Sequence, residues 1–351
     1  MKQVLDWVRP AIKVALAEKQ DNIDQIETPS QIVAMHLNEN PFGSPLNRYP
    51  ALSQMSCREI VGKIRGGLRP QCISLTNGTA DSVGRLVNTF CMPARDNVVV
   101  VQPMSKLYSD VARLNDVEVR QVLLDDNFRL NVDNVLRTVG QFTKMIFLSS
   151  PNNPTGNLLQ PAAVLDLCEK FNGIVVVDET YVAFSRNPSL VQHLSNYTNL
   201  VILDSLSVTY AMASSRIAMI LAHPQVIRAV EVLNYPYSLS TSAIADIQSL
   251  PRRSFDVDKW TKSLLEERTK LLSAVAQLPI CEKVYPTSAN FFMAKFKDVG
   301  KLFDYLKSKQ IAVYNCSELP SCEGCLRITV GLPVDNNALV SALRKFGEGV
   351  G

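Results

Sequence analysis

Three groups of residues in this chain are suited to holding an anion beside a buried acid. The stretch Asp204-Ser205-Leu206-Ser207-Val208-Thr209, followed by Arg216, supplies two hydroxyls and a guanidinium fork. A guanidinium fork matches phosphate or carboxylate geometry. Gly78-Thr79-Ala80 is placed to open a helix, whose free N–H groups and positive dipole end receive an anion. Asp178 follows the apolar run 174–177, and an unpaired carboxylate at the end of a buried strand is costly. Cys322-Glu323-Gly324-Cys325 has a spacing used in metal and redox sites. No second pair of ligands lies nearby to complete a zinc site, and the motif precedes a strand instead of opening a helix after one. Two loop thiols are the expected reading.

The elements that must position these groups alternate between short β-branched runs and longer helical patterns. Strands are expected at 98–101, 117–124, 145–148, 174–177, 200–203 and 217–221, with a crossover helix over 162–171. Several runs are apolar on every residue, as strands buried on both faces of a mainly parallel sheet are. An α/β fold follows, and ligands in such sheets bind beyond the carboxyl ends of the strands. Ser105, Asn153, Asp178 and Ser205 all stand just after apolar runs, so one mouth could collect them. After about Pro251 the pattern changes to an amphipathic helix carrying Trp260, Leu264, Leu271, Val275 and Leu278, with Glu266 paired to Lys270. An α+β pattern completes the chain: strands at 291–296, 311–314 and 326–330, a helix over 299–310, and a last helix capped by Asp335 and running to about Phe346. The expected division is an N-terminal segment 1–45 joining the small domain, a large domain 46–254, and a small α+β domain 255–351.

At 351 residues, 46% of them hydrophobic and 20% charged, the chain can bury full-sized cores and lacks a disordered signature. A net charge of +3 without a dense basic, aromatic-interleaved run argues against nucleic acid as partner. The apolar runs are too short to cross a bilayer and the N-terminus has no signal-peptide core, so a cytoplasmic location is expected. The eight cysteines are spread over a chain large enough to need no disulfide framework.

Over nearly its whole length the chain resembles the histidinol-phosphate aminotransferases, fold-type I enzymes that use pyridoxal 5'-phosphate (PLP). The matching stretches are Leu37-Asn38-Glu39-Asn40-Pro41, Asn47-Arg48-Tyr49-Pro50, Thr76-Asn77-Gly78-Thr79-Ala80-Asp81, Ser150-Pro151-Asn152-Asn153-Pro154-Thr155-Gly156, Val177-Asp178-Glu179-Thr180-Tyr181, Ser288-Ala289-Asn290-Phe291 and Cys325-Leu326-Arg327-Ile328-Thr329-Val330-Gly331. Asn-Pro-Thr-Gly alone is common to many such enzymes; seven stretches in family order are specific. The resemblance implies a phosphate grip from Gly78, Thr79, Ala80, Ser205, Ser207 and Arg216. It further implies a partner for the pyridine nitrogen in Asp178, contacts to the ring hydroxyl from Asn153 and Tyr181, and a substrate arginine in Arg327 assisted by Asn290. It also implies a homodimer, with Tyr49 reaching the phosphate held by the other subunit.

The departures are as specific as the matches. Val208 stands where the family has the lysine that anchors the cofactor through its aldehyde, and no lysine occurs between Lys170 and Lys259. Ser105 stands where an aromatic ring stacks on the cofactor, and Tyr314 replaces a second substrate arginine. The turn 210–215 lacks the usual glycine, and a proline-tyrosine pair is missing near residue 18. Lys106, beside the stacking position, reads as a solvated residue pointing away; His36, His193 and His223 match no catalytic position of the family. Three readings follow: a catalytically defective or repurposed relative that holds PLP without a covalent link, a functional histidinol-phosphate:2-oxoglutarate aminotransferase, and a PLP reaction that needs no lysine.

Overall fold

The computed structural model describes residues 4–18, 35, 37–44, 46–50, 54–234 and 237–349. Seven strands form one sheet: β1 (Ile73–Thr76), β2 (Asn97–Gln102), β3 (Glu118–Leu123), β4 (Thr143–Ser149), β5 (Ile174–Asp178), β6 (Leu200–Ser205) and β7 (Ala218–Ala222), in the order β1-β7-β6-β5-β4-β2-β3. The pairs from β6 to β3 are parallel, and β7 runs antiparallel to both β6 and β1. This is the mainly parallel α/β sheet expected. Its central strands are apolar throughout because both faces are covered: Val99, Ile146, Val175 and Ile202 enter one core, while their neighbours Val100, Phe147, Val176 and Val201 enter the other. β1, with apolar Ile73 and Leu75 separated by Ser74, escaped the sequence reading.

The second sheet is antiparallel and has four strands: β8 (Cys281–Val284), β9 (Phe291–Phe296), β10 (Tyr314–Asn315) and β11 (Cys325–Thr329), in the order β10-β11-β9-β8. It shares a third core with the helices Val299–Ser308 and Pro333–Gly349. The last helix begins before Asp335, which therefore is no N-cap. Pro333 starts the helix, a position where its missing N–H costs nothing, and Asp335 reaches back to the Leu332 N–H at 3.3 Å.

Three further expectations need correction. The long helix is Thr241–Ala276, beginning ahead of Pro251 and crossing residue 254 without a break; Ser240 caps it by accepting from the Ala243 N–H. Lys270 pairs with Glu267 at 2.8 Å and not with Glu266, because Glu267 is also held by Asn336. Residues 4–16 of the N-terminal segment pack on the large sheet rather than with the small domain. Val4, Trp7, Val8 and Ile12 complete its second core, and Trp7 Nε1 donates to Asn172.

Candidate active site

The anion grip is built from a helix start and an arginine. Gly78 is the N-cap of helix Thr79–Phe90 at φ 91°, and no side chain caps that helix. Its first N–H groups are the orphan donors of a helix terminus. Arg216 closes over them: a Cβ on Gly78 would lie 2.4 Å from Arg216 Nη2. Arg216 itself adopts a left-handed backbone (φ 54°) and donates from Nη1 to the Ala213 carbonyl. The β6 end supplies the hydroxyls. Ser205 is buried and caps the short helix Leu206–Thr209 by accepting from the Ser207 N–H; its hydroxyl lies 2.9 Å from Ser207 Oγ. Ser207 is half-buried, so it is the more accessible of the two.

Asp178, at the end of β5, is buried and accepts from three of the chain's own donors. Thr180 gives Oδ1 its N–H at 2.9 Å and its hydroxyl at 2.6 Å, and the Tyr108 phenol donates to Oδ2. Tyr108 was not found in the sequence because it lies 70 residues away, on a helix with no signal of its own. Burial and then the Asp178 charge hold the Tyr108 phenol well above its ordinary value, which fixes it as a donor. Two more buried acids follow. Glu179 holds Ser189 and Leu190, and burial raises it to about 7. Asp204 pairs with Arg65 at 2.5 Å, and burial raises it against the pull of that arginine. Asp178 and Asp204 are each met by a residue distant in sequence, Glu179 by its own following loop.

Asn153, Tyr181 and Arg327 meet. Arg327 Nη1 donates to Asn153 Oδ1 at 2.6 Å, and Asn153 Nδ2 reaches Tyr181 Oη at 3.5 Å. Burial and then Asp178 raise the Tyr181 phenol. Arg327, on β11, lies over the Tyr314 ring at 4.6 Å and over Phe291 at 5.3 Å. Cation–π contact therefore holds the guanidinium where no carboxylate pairs with it among the described residues. Arg327 Nε and Asn290 Oδ1 are buried without partners among the described residues, which leaves a donor and an acceptor for a ligand. No described hydrogen bond joins Asn290 to Arg327; Asn290 instead accepts the Val330 N–H through its carbonyl.

Val208 is half-buried on the short helix after Ser207. Ser105 accepts from the Leu107 N–H at 3.4 Å and stacks on nothing. Lys106 is exposed and lies 3.7 Å from Glu318. Tyr49 is exposed and stacks on Tyr237 at 4.6 Å. His36 lies outside the described residues, and His223 caps the helix Pro224–Val230. The Cys322 and Cys325 thiols are buried, Cys322 in the loop before β11 and Cys325 at the start of that strand, and burial raises both.

The family model Aminotransferase class I and II matches residues 28–343. The histidinol-phosphate aminotransferase of Bacteroides thetaiotaomicron is 35% identical over 346 residues, 99% of each chain. That of Bacteroides fragilis is 36% identical over 99% of this chain and 100% of the relative. The structure of histidinol-phosphate aminotransferase from Sinorhizobium meliloti in complex with pyridoxal-5'-phosphate superposes with a TM-score of 0.79 at 17% identity, covering 98% of this chain and 88% of that one. L-threonine-O-3-phosphate decarboxylase from Porphyromonas gingivalis superposes with a TM-score of 0.71 at 20% identity over 96% and 95%. No helix among the described residues is long and apolar enough to cross a membrane. The chain belongs to the PLP-dependent class I and II aminotransferases, within their histidinol-phosphate aminotransferase-like family.

Proposed function

We propose that this protein is a catalytically defective or repurposed histidinol-phosphate aminotransferase relative that holds PLP or pyridoxamine phosphate without a covalent link, as a cytoplasmic homodimer. The observation that carries the reading is Val208, an isopropyl group at the position where the resemblance puts the anchoring lysine. When bound, the cofactor would supply an electron sink for amino-group chemistry. The residues present fit its two polar ends. Arg216 and the uncapped helix start at Gly78 are a phosphate cup. Asp178 keeps acceptor capacity on Oδ2, beyond the Tyr108 bond, for a pyridine N–H. In this reading residues 46–254 hold the cofactor and residues 255–351 bring Arg327 to it.

What fails to fit is proton transfer. Val208 can neither bond an aldehyde nor carry a proton, and Lys106 faces solvent. General acid–base catalysis is worth about 10²–10⁴-fold, or roughly 3–5 kcal/mol of barrier. Identity of 35% over 99% of the chain favours a second reading, a working histidinol-phosphate:2-oxoglutarate aminotransferase. A PLP reaction without lysine is the third, and no replacement base supports it.

Loading the purified chain with PLP, reducing with borohydride and mapping pyridoxyl adducts by mass spectrometry tests the proposal. The expected outcome is reversible binding without an adduct, and no turnover of histidinol phosphate with 2-oxoglutarate. A stoichiometric adduct on one lysine, or turnover in the usual range of about 1–10³ s⁻¹, would overturn it.

A further inference from the structure

A cavity of about 340 Å³ is lined by none of Gly78, Asn153, Asp178, Ser207, Arg216 and Arg327. Its polar lining includes Arg65, Arg69, Gln192, Ser195 and His223, with Val191 on an apolar side. Among the described residues no aspartate or glutamate lines it. Arg65 is neutralised by Asp204 at 2.5 Å. Arg69 has no carboxylate within ion-pair distance among the described residues. Beside it, His223 accepts the Gln225 N–H through Nδ1 at 3.3 Å. Burial, and then the Arg69 charge, hold that imidazole below its ordinary value. A neutral ring accepting at Nδ1 carries its proton on Nε2, as a donor.

We propose that this cavity binds a small organic anion, a carboxylate or a phosphate ester, with the charged head on Arg69 and His223 and the apolar part against Val191. The volume is at the lower end of small-molecule sites, about 300–1,000 Å³. A guanidinium without a carboxylate partner, beside a neutral N–H donor in a cavity free of acids, is complementary to an oxyanion and to no cation.

The test is calorimetric titration of the full chain with phenyl phosphate and with benzoate, in an Arg216→Ala background that removes the phosphate grip at Gly78. The Arg216→Ala chain binds at least one of the two probes. Adding Arg69→Ala weakens that binding about tenfold, the loss of one charge-assisted hydrogen bond, and Arg69→Lys restores part of it. Tighter binding of phenyl phosphate assigns a phosphate ester, and tighter binding of benzoate a carboxylate. Arg69 is exposed, so the variant retains the fold. Failure of both probes to bind the Arg216→Ala chain, or binding that Arg69→Ala leaves unchanged, overturns the proposal. Neither result bears on PLP binding at Arg216.

Discussion

A methyl group on Gly78 would lie 2.4 Å from Nη2 of Arg216, so the helix start and the guanidinium fit together only because residue 78 has no side chain. Gly78→Ala should therefore displace Arg216 as well as strain a backbone at φ 91°. Gly66 is the control: its φ is 71°, yet nothing lies within 4 Å of an added Cβ. Both substitutions should cost about 1 kcal/mol or more of stability. Only Gly78→Ala should also weaken PLP binding, by about tenfold, measured by the cofactor's absorbance in titration. Equal PLP affinity in the two variants would remove Arg216 from the phosphate grip.

Tyr108 donates to Asp178 inside the core, and Tyr108→Phe leaves that carboxylate with only the Thr180 donors. Loss of one partner of a buried charged group costs about 1–3 kcal/mol. Urea denaturation should show this loss without cofactor, and a smaller one with saturating PLP, whose pyridine N–H would replace the missing donor. A deficit that PLP leaves unchanged would mean that Asp178 does not face the ring.

Glu179 supplies the pH dependence. Burial raises it from 4.5 to about 7, against the hydrogen bonds from Ser189 and Leu190. Between those values the folded chain keeps a proton that the unfolded chain has lost. Stability falls as pH rises through this window and is level above it. In full the shift is worth about 3 kcal/mol. Glu179→Gln removes the titration while preserving an acceptor for the Leu190 N–H. Chemical denaturation at several pH values should show the wild type losing stability relative to this variant between pH 4.5 and about 7. Parallel profiles would show that Glu179 is ionised throughout.

How much was legible in the sequence follows from what each feature writes into it. Strands buried on both faces, such as β4 and β5, leave continuous apolar runs and were found within a residue or two. β8 carries Glu282 and Lys283 at a sheet edge and leaves no such run. Pro251 read as a boundary because proline ends most helices, yet the helix continues through it with Ile247 and Leu250 buried on one side. Gly78, Asn153, Asp178, Tyr181, Arg216 and Arg327 were singled out from the sequence, by residue chemistry and by resemblance. Tyr108 under Asp178, Phe291 under Arg327 and Arg65 against the neighbouring Asp204 were not, since such contacts depend on how the strands bring distant segments together.

The final prediction concerns Val208→Lys. Val208 follows Ser207 on a half-buried turn, so a lysine amine there can reach the mouth of the site without disturbing the core. The substitution alone should nevertheless give weak transamination. Ser105 offers the cofactor no stacking ring, its hydroxyl being turned to the Leu107 N–H. Tyr314 contributes a ring under Arg327 rather than a second guanidinium for substrate. An aromatic contact is worth about 0.5–1.5 kcal/mol, and a hydrogen bond to a charged group about 1.5–3. Together they predict a shortfall in kcat/KM of roughly 30- to 2,000-fold. Borohydride should now trap PLP on residue 208 even though turnover stays low. Adding Ser105→Tyr and Tyr314→Arg should raise kcat/KM stepwise. Full family rates from Val208→Lys by itself would show that the lysine position alone sets activity.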